Sequence, residues 1–598
     1  MIGNGAAPPA PIAAGGLLAG GVAGELDHVV HTRTANGLNG SGALLSTQRH
    51  ILAVAHTIDG TQTTINFHMM RNRGGAAVQV PITFTLPADA AMNRWQVREP
   101  GYVPVGGGAL QATNDIGIFR LTDQANPAAD RYVIAPVGLN NLRGYAISGV
   151  NPVGQVATFV GYGFTGIGNW GNSAEAVQNL DLNNIPAGAG NFTLSFTPPG
   201  GGAAQVTGNI NAVGLTAAGL AAALEALPAL APIPGAGGAP PTRQVEVIRW
   251  NANQFSVRFI GPNVGGRAIA LMVANVAPGQ GAFAVVPSVV WGGGFTPAKR
   301  TGDQTIEQVL GLAGVPAAVA ANYVEADFDN GVAAQNSLGG LGLPNEGMIG
   351  PADSGGPAFR RNAANALEII GINQGFYRTA SPPDLNNWVF SNGNAGPADS
   401  SFGEFSVFTA ARNFNNAGGF IDTITNNQPY DLILDMSRQV IGADLAGENV
   451  TINVRRIAGD VVIEVTDPLG AYSGVYFRDA ANRIRSLEIR GTNDNETVNL
   501  PNNLLGPGRR VRFIGGGGND TTNIARLDAG NGGDLIAFNG GDGDDTLNIE
   551  DQVGSAGLAY LVAASSVSAA DLNIDEYDGT EHLMVLAAGL NDTVDVSG

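Results

Sequence analysis

The sequence contains no cysteine, and Lys299 is its only lysine. The lack of cysteine excludes disulfides, thiolate catalysis, and zinc or iron–sulfur sites built on cysteine. Charged residues make up only 13 % of the chain, and no run of about 18 strongly apolar residues is present that could cross a membrane. Because 44 % of the 598 residues are hydrophobic, the composition is that of a folded protein and not of a disordered acidic chain.

The charge balance is strongly acidic, with 50 Asp and Glu residues against 30 Lys and Arg and a net charge of −20. This balance argues against nucleic acid as a partner and favours calcium as a ligand. Glycine is abundant: 87 residues are about twice the usual share of about 7 %. The glycines follow no collagen period, so they predict a mainly β protein with many turns.

Changes of pattern along the chain predict four regions. Residues 1–24 form a flexible Gly/Ala/Pro-rich N-terminus that lacks the basic start of a signal peptide. Short strands between glycine turns fill residues 25–177 and 291–425, a pattern typical of an antiparallel barrel or sandwich. Residues 178–290 have the pattern of a small inserted α+β module, and residues 430–598 that of a repetitive β region.

The inserted module contains one clear helix signal. Thr216 can cap a helix in which Leu220, Leu224 and Leu227 fall at positions i, i+4 and i+7. Pro228 then ends the helix. With alternating strands on both sides of this helix, we expect the module to fold as a unit of its own.

Three short motifs each place a polar, reactive side chain beside an apolar strand or in a glycine turn. His56 ends ILAVAH, Asp115 begins DIGIFRL, and Ser354 lies within ADSGGP. One such histidine is usually structural, and a serine between Asp and Gly-Gly is usually part of a turn. In the order His, Asp, Ser, however, the three motifs resemble the TAAHC, DIALLRL and GDSGGP strings of the chymotrypsin/trypsin family of serine proteases.

The resemblance implies a chymotrypsin-like double antiparallel β-barrel and an exported or cell-surface serine endopeptidase with protein or peptide substrates. It assigns Ser354 as the nucleophile, His56 as general base and then acid, and Asp115 as the carboxylate that orients the imidazole. The backbone N–H groups of Ser354 and Ala352 would form the oxyanion hole. This mechanism passes through an acyl-enzyme and needs no cofactor.

The resemblance also places a substrate pocket around Met348, Asn373 and Gly375. Met348 carries no charge, which favours a medium-sized apolar residue before the cleaved bond over Arg or Lys. Two departures from the family stand beside these matches. Ala352 replaces the usual glycine, and no family-like IVGG start is evident to supply the amino terminus that pairs with the carboxylate at Asp353.

Pairs of an acidic residue and threonine recur through the last region. They lie at Glu496, Asp520, Asp545 and Asp592, at intervals of 24, 25 and 47 residues. A period near 24–25 predicts β coils that stack on one another, as in a solenoid. We expect this region to be separable from catalysis.

Glycine- and aspartate-rich turns in the same region resemble the calcium-binding repeats of RTX proteins. Calcium needs several oxygen ligands at once, and the expected ligands are Asp520, Asp534, Asp542 and Asp545. Because these turns are 14 and 11 residues apart and not nine, a metal-free solenoid stays open as the alternative.

The sequence leaves two other functions open. The chain could be a non-catalytic surface or adhesive protein with a degenerate protease-like domain, or a serine esterase. A cell-surface or extracellular-matrix partner could bind through residues 178–290 or 430–598.

Overall fold

Strands dominate the part of the chain that the structure describes, as the composition predicts, with 53 % of these residues in strands and 8 % in helices. The computed structural model describes residues 2–3, 24–73, 76–104, 112–122, 131–134, 144–162, 166–167, 171–172, 176–185, 190–199, 202–234, 241–251, 253–260, 263–264, 269–280, 282–291, 299–310, 316–328, 338, 343, 346–349, 353–377, 405–426, 429–436, 449–466, 474–526, 533–551, 559–569, 572–586 and 593–596.

The first of two half-barrel sheets is antiparallel throughout. The apolar residues 51–55 are fully buried, which explains why their strand lies inside the sheet and not at its edge. In spatial order its seven strands are Ala76–Leu86, Thr63–Arg73, Val29–Thr34, Asn39–Leu44, His50–Ala53, Gly117–Arg120 and Gln96–Arg98.

The second half-barrel sheet packs against the first through an apolar core that contains Leu52, Ile118, Phe359 and Ile369. Its antiparallel strands, in spatial order, are Arg300–Thr305, Val156–Gly161, Pro357–Arg361, Leu367–Tyr377, Phe405–Thr409, Tyr323–Asp327 and Gln308–Val309. The short strand Ala146–Ile147 pairs with Leu367–Tyr377 in parallel.

The inserted segment has two small sheets and its own apolar core, drawn from residues 176–285. The predicted helix is present at Ala217–Glu225, with the Thr216 hydroxyl accepting the Gly219 N–H at 3.0 Å. One sheet contains Val245–Asn251, Gln254–Phe259, Val177–Asn183 and Ala284–Trp291. The other contains Gln205–Val206, Asn191–Phe196, Ile210–Asn211 and Val273–Val276.

Beyond residue 430, most strands run in parallel and belong alternately to two sheets. The pairing of Thr497 with Thr521 and of Thr521 with Thr546 confirms the predicted interval of 24–25 residues. One sheet contains Arg131–Ile134, Tyr430–Asp435, Ile484–Arg490, Arg510–Gly517, Leu535–Asp542, Leu572–Asp578, Ser566–Ala569, Ala559–Ala563 and Thr593–Val596. The other contains Gly474–Ala480, Asp460–Thr466, Thr451–Ile457, Thr497–Pro501, Thr521–Arg526, Thr546–Asp551 and His582–Leu586. Asp592 lies outside the described residues.

The last region is not independent of the first half-barrel sheet. Strand Arg131–Ile134 pairs in parallel with Tyr430–Asp435, and one apolar core includes residues of both regions, among them Ile51 and Leu432. Removal of residues 430–598 would expose part of this core, so separability of this region from catalysis stays a prediction that has to allow for a loss of stability.

Helices and minor sheets complete the described elements. The remaining α-helices are Ala317–Ala320 and Phe420–Asn426, and the 3-10 turns are Ala55–Thr57, Ala411–Phe414 and Ala481–Arg483. Minor strands are Ile2–Gly3, Gly166–Ile167, Gly171–Asn172, Gly347–Met348, Val103–Pro104 and Ala112–Thr113. Among the described residues, no helix has the length and apolar character needed to span a membrane.

Candidate active site

His56 lies one residue into a tight turn at the end of a buried strand. Strand His50–Ala53 and the following Val54 are buried, and within the 3-10 turn Ala55–Thr57 only His56 is partly exposed. The His56 side chain is 17 % exposed. The imidazole is thus held by a rigid element and still reachable from solvent.

Asp115 lies immediately beside this turn because its strand pairs with the histidine strand. Gly117 pairs with Ala53 in antiparallel register, which brings the residues before Gly117 next to those after Ala53. Asp115 Oδ2 lies 2.6 Å from His56 Nδ1, and Asp115 Oδ1 accepts the His56 backbone N–H at 2.9 Å. The fully buried carboxylate therefore fixes both the ring and the backbone of His56.

Two residues that the sequence analysis did not select hold Asp115 in place. The Asp115 N–H donates to the Tyr323 hydroxyl at 2.9 Å, and the Thr409 hydroxyl donates to the Asp115 carbonyl at 3.1 Å. Burial raises the pKa of Tyr323, which keeps its hydroxyl protonated. Both residues come from the second half-barrel sheet, so the aspartate joins the two sheets.

Ser354 lies in a tight turn against the strand Asn39–Leu44, which pairs with the strand that precedes His56. Its carbonyl accepts the Ser41 N–H at 2.8 Å, and a Cβ on Gly40 would contact both Ser354 and Thr57, the residue after His56. Ser354 is therefore on the same wall of the site as the histidine turn. Its hydroxyl donates to the Gln374 carbonyl at 3.3 Å.

The glycines after Ser354 are required by the close packing of this turn. Gly355 has φ +88°, and a Cβ there would collide with the Ser41 carbonyl. The Gly355 N–H donates to the Asn373 carbonyl at 2.8 Å, and the Asn373 N–H donates to Gly356 at 2.7 Å. The sequence motif GG thus fixes the serine turn to the neighbouring strand.

Asp353 is fully buried in the space left by another glycine. Its carboxylate lies against Gly161, where a Cβ would overlap it, and Gly161 is paired directly opposite Arg300. Burial lowers the pKa of Arg300, while the negative charge of Asp353 raises it. A buried carboxylate beside the serine is thus matched by a nearby guanidinium.

The predicted pocket residues occupy different positions around the serine turn. Met348 is fully buried, and its strand Gly347–Met348 pairs with Ile2–Gly3, a neighbour that the sequence analysis did not foresee. The Asn373 side chain donates to the carbonyls of Val160 and Asp353 at 3.2 and 3.4 Å, so it braces the turn.

Gly375 lies at a bulge in the strand Leu367–Tyr377, next to Gln374. The side-chain amide of Gln374 is buried and has no hydrogen-bond partner among the described residues. It is therefore a polar group beside Ser354 that the sequence analysis missed. Ala352 lies outside the described residues.

Two of the predicted calcium ligands, Asp520 and Asp545, form part of a ladder of acidic residues. The N–H of Glu496 donates to Asp520 Oδ1 at 2.8 Å, the N–H of Asp520 to Asp545 Oδ1 at 2.7 Å, and the N–H of Asp545 to Glu581 Oε2 at 2.8 Å. The other oxygens, Oδ2 of Asp520 and Asp545, are buried without a hydrogen-bond partner within the described part of the chain.

Each of these two oxygens faces a backbone carbonyl of the next coil. A Cβ on Gly515 would overlap both Asp520 Oδ2 and the Gly540 carbonyl oxygen. Only glycine therefore fits at this step of the ladder, and the carboxyl group of Glu496 approaches that of Asp520 closely enough to share a proton with it. Burial, and then the charges of Glu496 and Asp545, raise the pKa of Asp520 to about 8.

The other two predicted ligands lie elsewhere. The Asp534 carboxylate accepts the N–H groups of Leu504, Leu505 and Gly506 at 2.6–3.2 Å, which makes it the support of a loop. Asp542 is exposed. Over the ranges that the structure describes, no three His, Asp or Glu side chains form a group suited to a metal ion.

No model of a known protein family and no curated protein matches this chain.

Proposed function

We propose that the chain is a serine endopeptidase of chymotrypsin-like fold. Ser354 attacks the substrate carbonyl, His56 takes the serine proton and returns it to the leaving amine, and Asp115 stabilises the imidazolium that forms. Water then hydrolyses the acyl-enzyme in the reverse sequence of proton transfers. We infer from the resemblance that this activity operates outside the cell or at its surface.

The observation that carries the proposal is the double contact between Asp115 and His56. A carboxylate that binds both Nδ1 and the backbone N–H leaves Nε2 directed away from itself, as a general base requires. The partial exposure of His56 supports a role toward a ligand.

The reaction requires one small movement of the serine. Its hydroxyl donates to the Gln374 carbonyl at 3.3 Å, a long and replaceable hydrogen bond. Rotation about χ1 of Ser354 would direct the hydroxyl toward His56, a change between staggered rotamers. The backbone N–H groups of Ala352 and Ser354 are the proposed donors to the oxyanion.

We propose that the pocket takes a medium-sized apolar side chain. Met348 lines its base without charge, and Gly375 leaves its wall open. Arg or Lys would enter such a pocket at the cost of an unpaired charge.

Active-site labelling tests the assignment. A fluorophosphonate should label the full chain, Ser354→Ala should abolish the label, and Ser46→Ala, a change at an exposed serine, should leave it intact. Labelled protein that hydrolyses esters and no peptides would favour the esterase. Wild-type protein that takes up no label would favour the non-catalytic surface protein.

We further propose that residues 430–598 form a β solenoid whose acidic ladder binds calcium. The support is the pair of unpartnered oxygens on Asp520 and Asp545, which could serve as ligands together with the carbonyls of Gly540 and Gly579. Each step of the ladder offers one carboxylate oxygen and one carbonyl oxygen, whereas calcium takes six to eight oxygen ligands. Water or further carbonyls would supply the remaining ligands.

Thermal unfolding of the full chain with calcium or with a chelator tests this second proposal. A ligand that binds only the folded state adds about 2.7 kcal/mol at a hundredfold excess over Kd. Asp520→Asn should abolish the stabilisation, and Asp595→Asn, an exposed position on the last strand, should not. An equal melting temperature with calcium and with chelator would leave the metal-free solenoid.

A further inference from the structure

A groove in the last region is lined by hydrogen-bond donors of positive charge. It has a volume of about 540 Å³ and is bordered by the guanidinium groups of Arg456 and Arg509 and the side-chain amides of Asn482 and Asn503. No acidic residue is among its lining residues.

The groove lies in the part of the last region that holds its arginines. Every arginine of residues 430–598 lies at or before Arg526, and His582 is the only basic side chain after that point. Residues 430–526 hold 11 arginines and 12 acidic residues, so they are close to neutral, whereas residues 527–598 hold 14 acidic residues. Because consecutive coils stack, this asymmetry in sequence becomes an asymmetry along the stack. The groove is therefore on the less acidic part of the region, where an anion is repelled least.

One wall of the groove is held rigidly. The loop that contains Leu505 and Gly506 is fixed by the buried Asp534 carboxylate, which accepts three consecutive N–H groups. Arg509 Nη1 donates to the carbonyls of Ala481 and Ile484 at 2.6 and 2.8 Å. Its guanidinium is thus oriented before any ligand arrives, which lowers the entropic cost of binding.

The second guanidinium is more weakly held. Arg456 Nη1 lies 3.5 Å from Asn503 Oδ1, at the limit of a hydrogen bond, and no other partner of Arg456 lies within the described residues. Burial raises the pKa of Asp534, and the N–H groups of the loop and then the positive charge of Arg456 oppose that rise, so Arg456 lies near this carboxylate. Arg456 thus retains most of its donors for a ligand.

We propose that this groove is a binding site for a small oxyanion-bearing molecule, whose phosphate, sulfate or carboxylate group is held between Arg456 and Arg509. Guanidinium groups bind such oxyanions through two parallel N–H···O bonds, and the asparagine amides add neutral donors. The volume is in the usual range of about 300–1,000 Å³ for small-molecule sites. The site is independent of the proposed protease activity.

Calorimetric titration of the full chain with inorganic phosphate, sulfate and citrate tests the proposal. All proteins carry Ser354→Ala to prevent self-cleavage, and sodium chloride keeps the ionic strength constant, because exposed charges are screened by salt. We expect saturable binding at one site for at least one of the three anions. Comparison of the three separates phosphate and sulfate from carboxylate as the preferred group.

The matched control is the neighbouring arginine. Arg455 is exposed on the same strand, forms an ion pair with Glu464, and faces the other side of the sheet. Arg456→Gln should weaken binding by about tenfold or more, equal to about 1.4 kcal/mol, and Arg455→Gln should not change it. Arg456→Lys, which keeps the charge and loses the planar fork, should give an intermediate affinity.

Two results would overturn the proposal. One is the absence of saturable binding by all three anions, and the other is an equal loss of binding in the Arg455 and Arg456 variants. If Arg456→Gln lowers the melting temperature markedly, Asn503→Ala provides a second variant, which should also weaken binding. Unchanged binding in that variant and in Arg456→Lys would count against the site.

Discussion

The ring of Tyr132 packs edge-on against the ring of Tyr430, with centroids 6.4 Å apart and planes inclined at 70°. The Arg49 guanidinium lies over the ring of Tyr430, 4.3 Å from its centroid. The Tyr430 hydroxyl donates to Asp479 Oδ2 at 2.8 Å. These contacts join the first half-barrel sheet to the parallel strands that follow residue 430. The two regions should therefore unfold together.

Tyr430→Ala tests this coupling. We expect a loss of about 3–5 kcal/mol in the free energy of unfolding, because a buried aromatic ring is replaced by a cavity. Urea unfolding, followed by far-ultraviolet circular dichroism, which reports the strands of both regions, and by the loss of fluorophosphonate labelling, should show one transition for both probes. Tyr430→Phe, which removes only the hydroxyl, should cost less. Labelling that outlasts a first step in the circular dichroism would show that the regions are separable after all.

Asp115→Asn should lower kcat/KM on a chromogenic peptide by about 10⁴, because an amide cannot stabilise the imidazolium or hold the same tautomer. His56→Ala and Ser354→Ala should have effects at least as large. Asp422→Asn, a change outside the site, should retain wild-type activity. Activity within tenfold of wild type in any of the three site variants would refute the triad.

Cleavage of a peptide library should occur mainly after apolar residues. Met348, the proposed base of the pocket, is buried and offers no charge to a basic side chain. Met348→Asp should shift the preference toward Arg and Lys, whereas Met348→Leu should preserve it. A wild-type enzyme that cleaves mainly after Arg or Lys would contradict this assignment of the pocket.

Replacement of residues 178–290 by a short Gly/Ser linker should leave hydrolysis of small peptides within a few-fold of wild type. The segment has its own core, and its ends are adjacent, since Val177 pairs with Trp291. Arg300, opposite Gly161, is retained in the shortened chain. Loss of folding or of small-peptide turnover would show that the segment belongs to the catalytic core.

Stability should fall as the pH rises toward 8 because of Asp520. Burial and the charges of Glu496 and Asp545 raise its pKa from 3.8 to about 8, so the folded state keeps a proton that the unfolded chain releases. The protonated Asp520 carboxyl contributes fully to the free energy of unfolding below about pH 4, and this contribution is lost as the pH passes through about 8.

Asp520→Asn removes this titration and should flatten the dependence of unfolding free energy on pH between 4 and 8. Urea unfolding of the wild-type protein and of Asp520→Asn at several pH values measures this dependence. If the free energy of unfolding changes with pH in the same way in both proteins, a proton on Asp520 is ruled out. A rise in the stability of the wild-type protein on addition of calcium at pH 8 would instead support a bound cation, because calcium would then offset the negative charge of the ladder that the proton no longer neutralises.

Features encoded within a few residues were predictable from the sequence. The Thr216 cap and the spacing of Leu220 and Leu224 predict the helix Ala217–Glu225, and both leucines are buried. The interval of 24–25 residues predicts the register of the parallel strands, because identical spacing places equivalent residues one above another. Such patterns depend only on backbone geometry and on alternation of apolar residues.

Contacts between distant segments were decided by the tertiary structure alone. Asp115 is held by Tyr323 and Thr409, 208 and 294 residues away, and neither stands in a motif. Asp534 follows a glycine-rich turn in the sequence, as Asp520 and Asp545 do, yet its carboxylate supports a loop and is not part of the acidic ladder. The sequence by itself determined the types of element, the candidate triad and the repeat. Which side chains meet depended on packing, because the energy of a buried contact is realised only when remote strands are brought together.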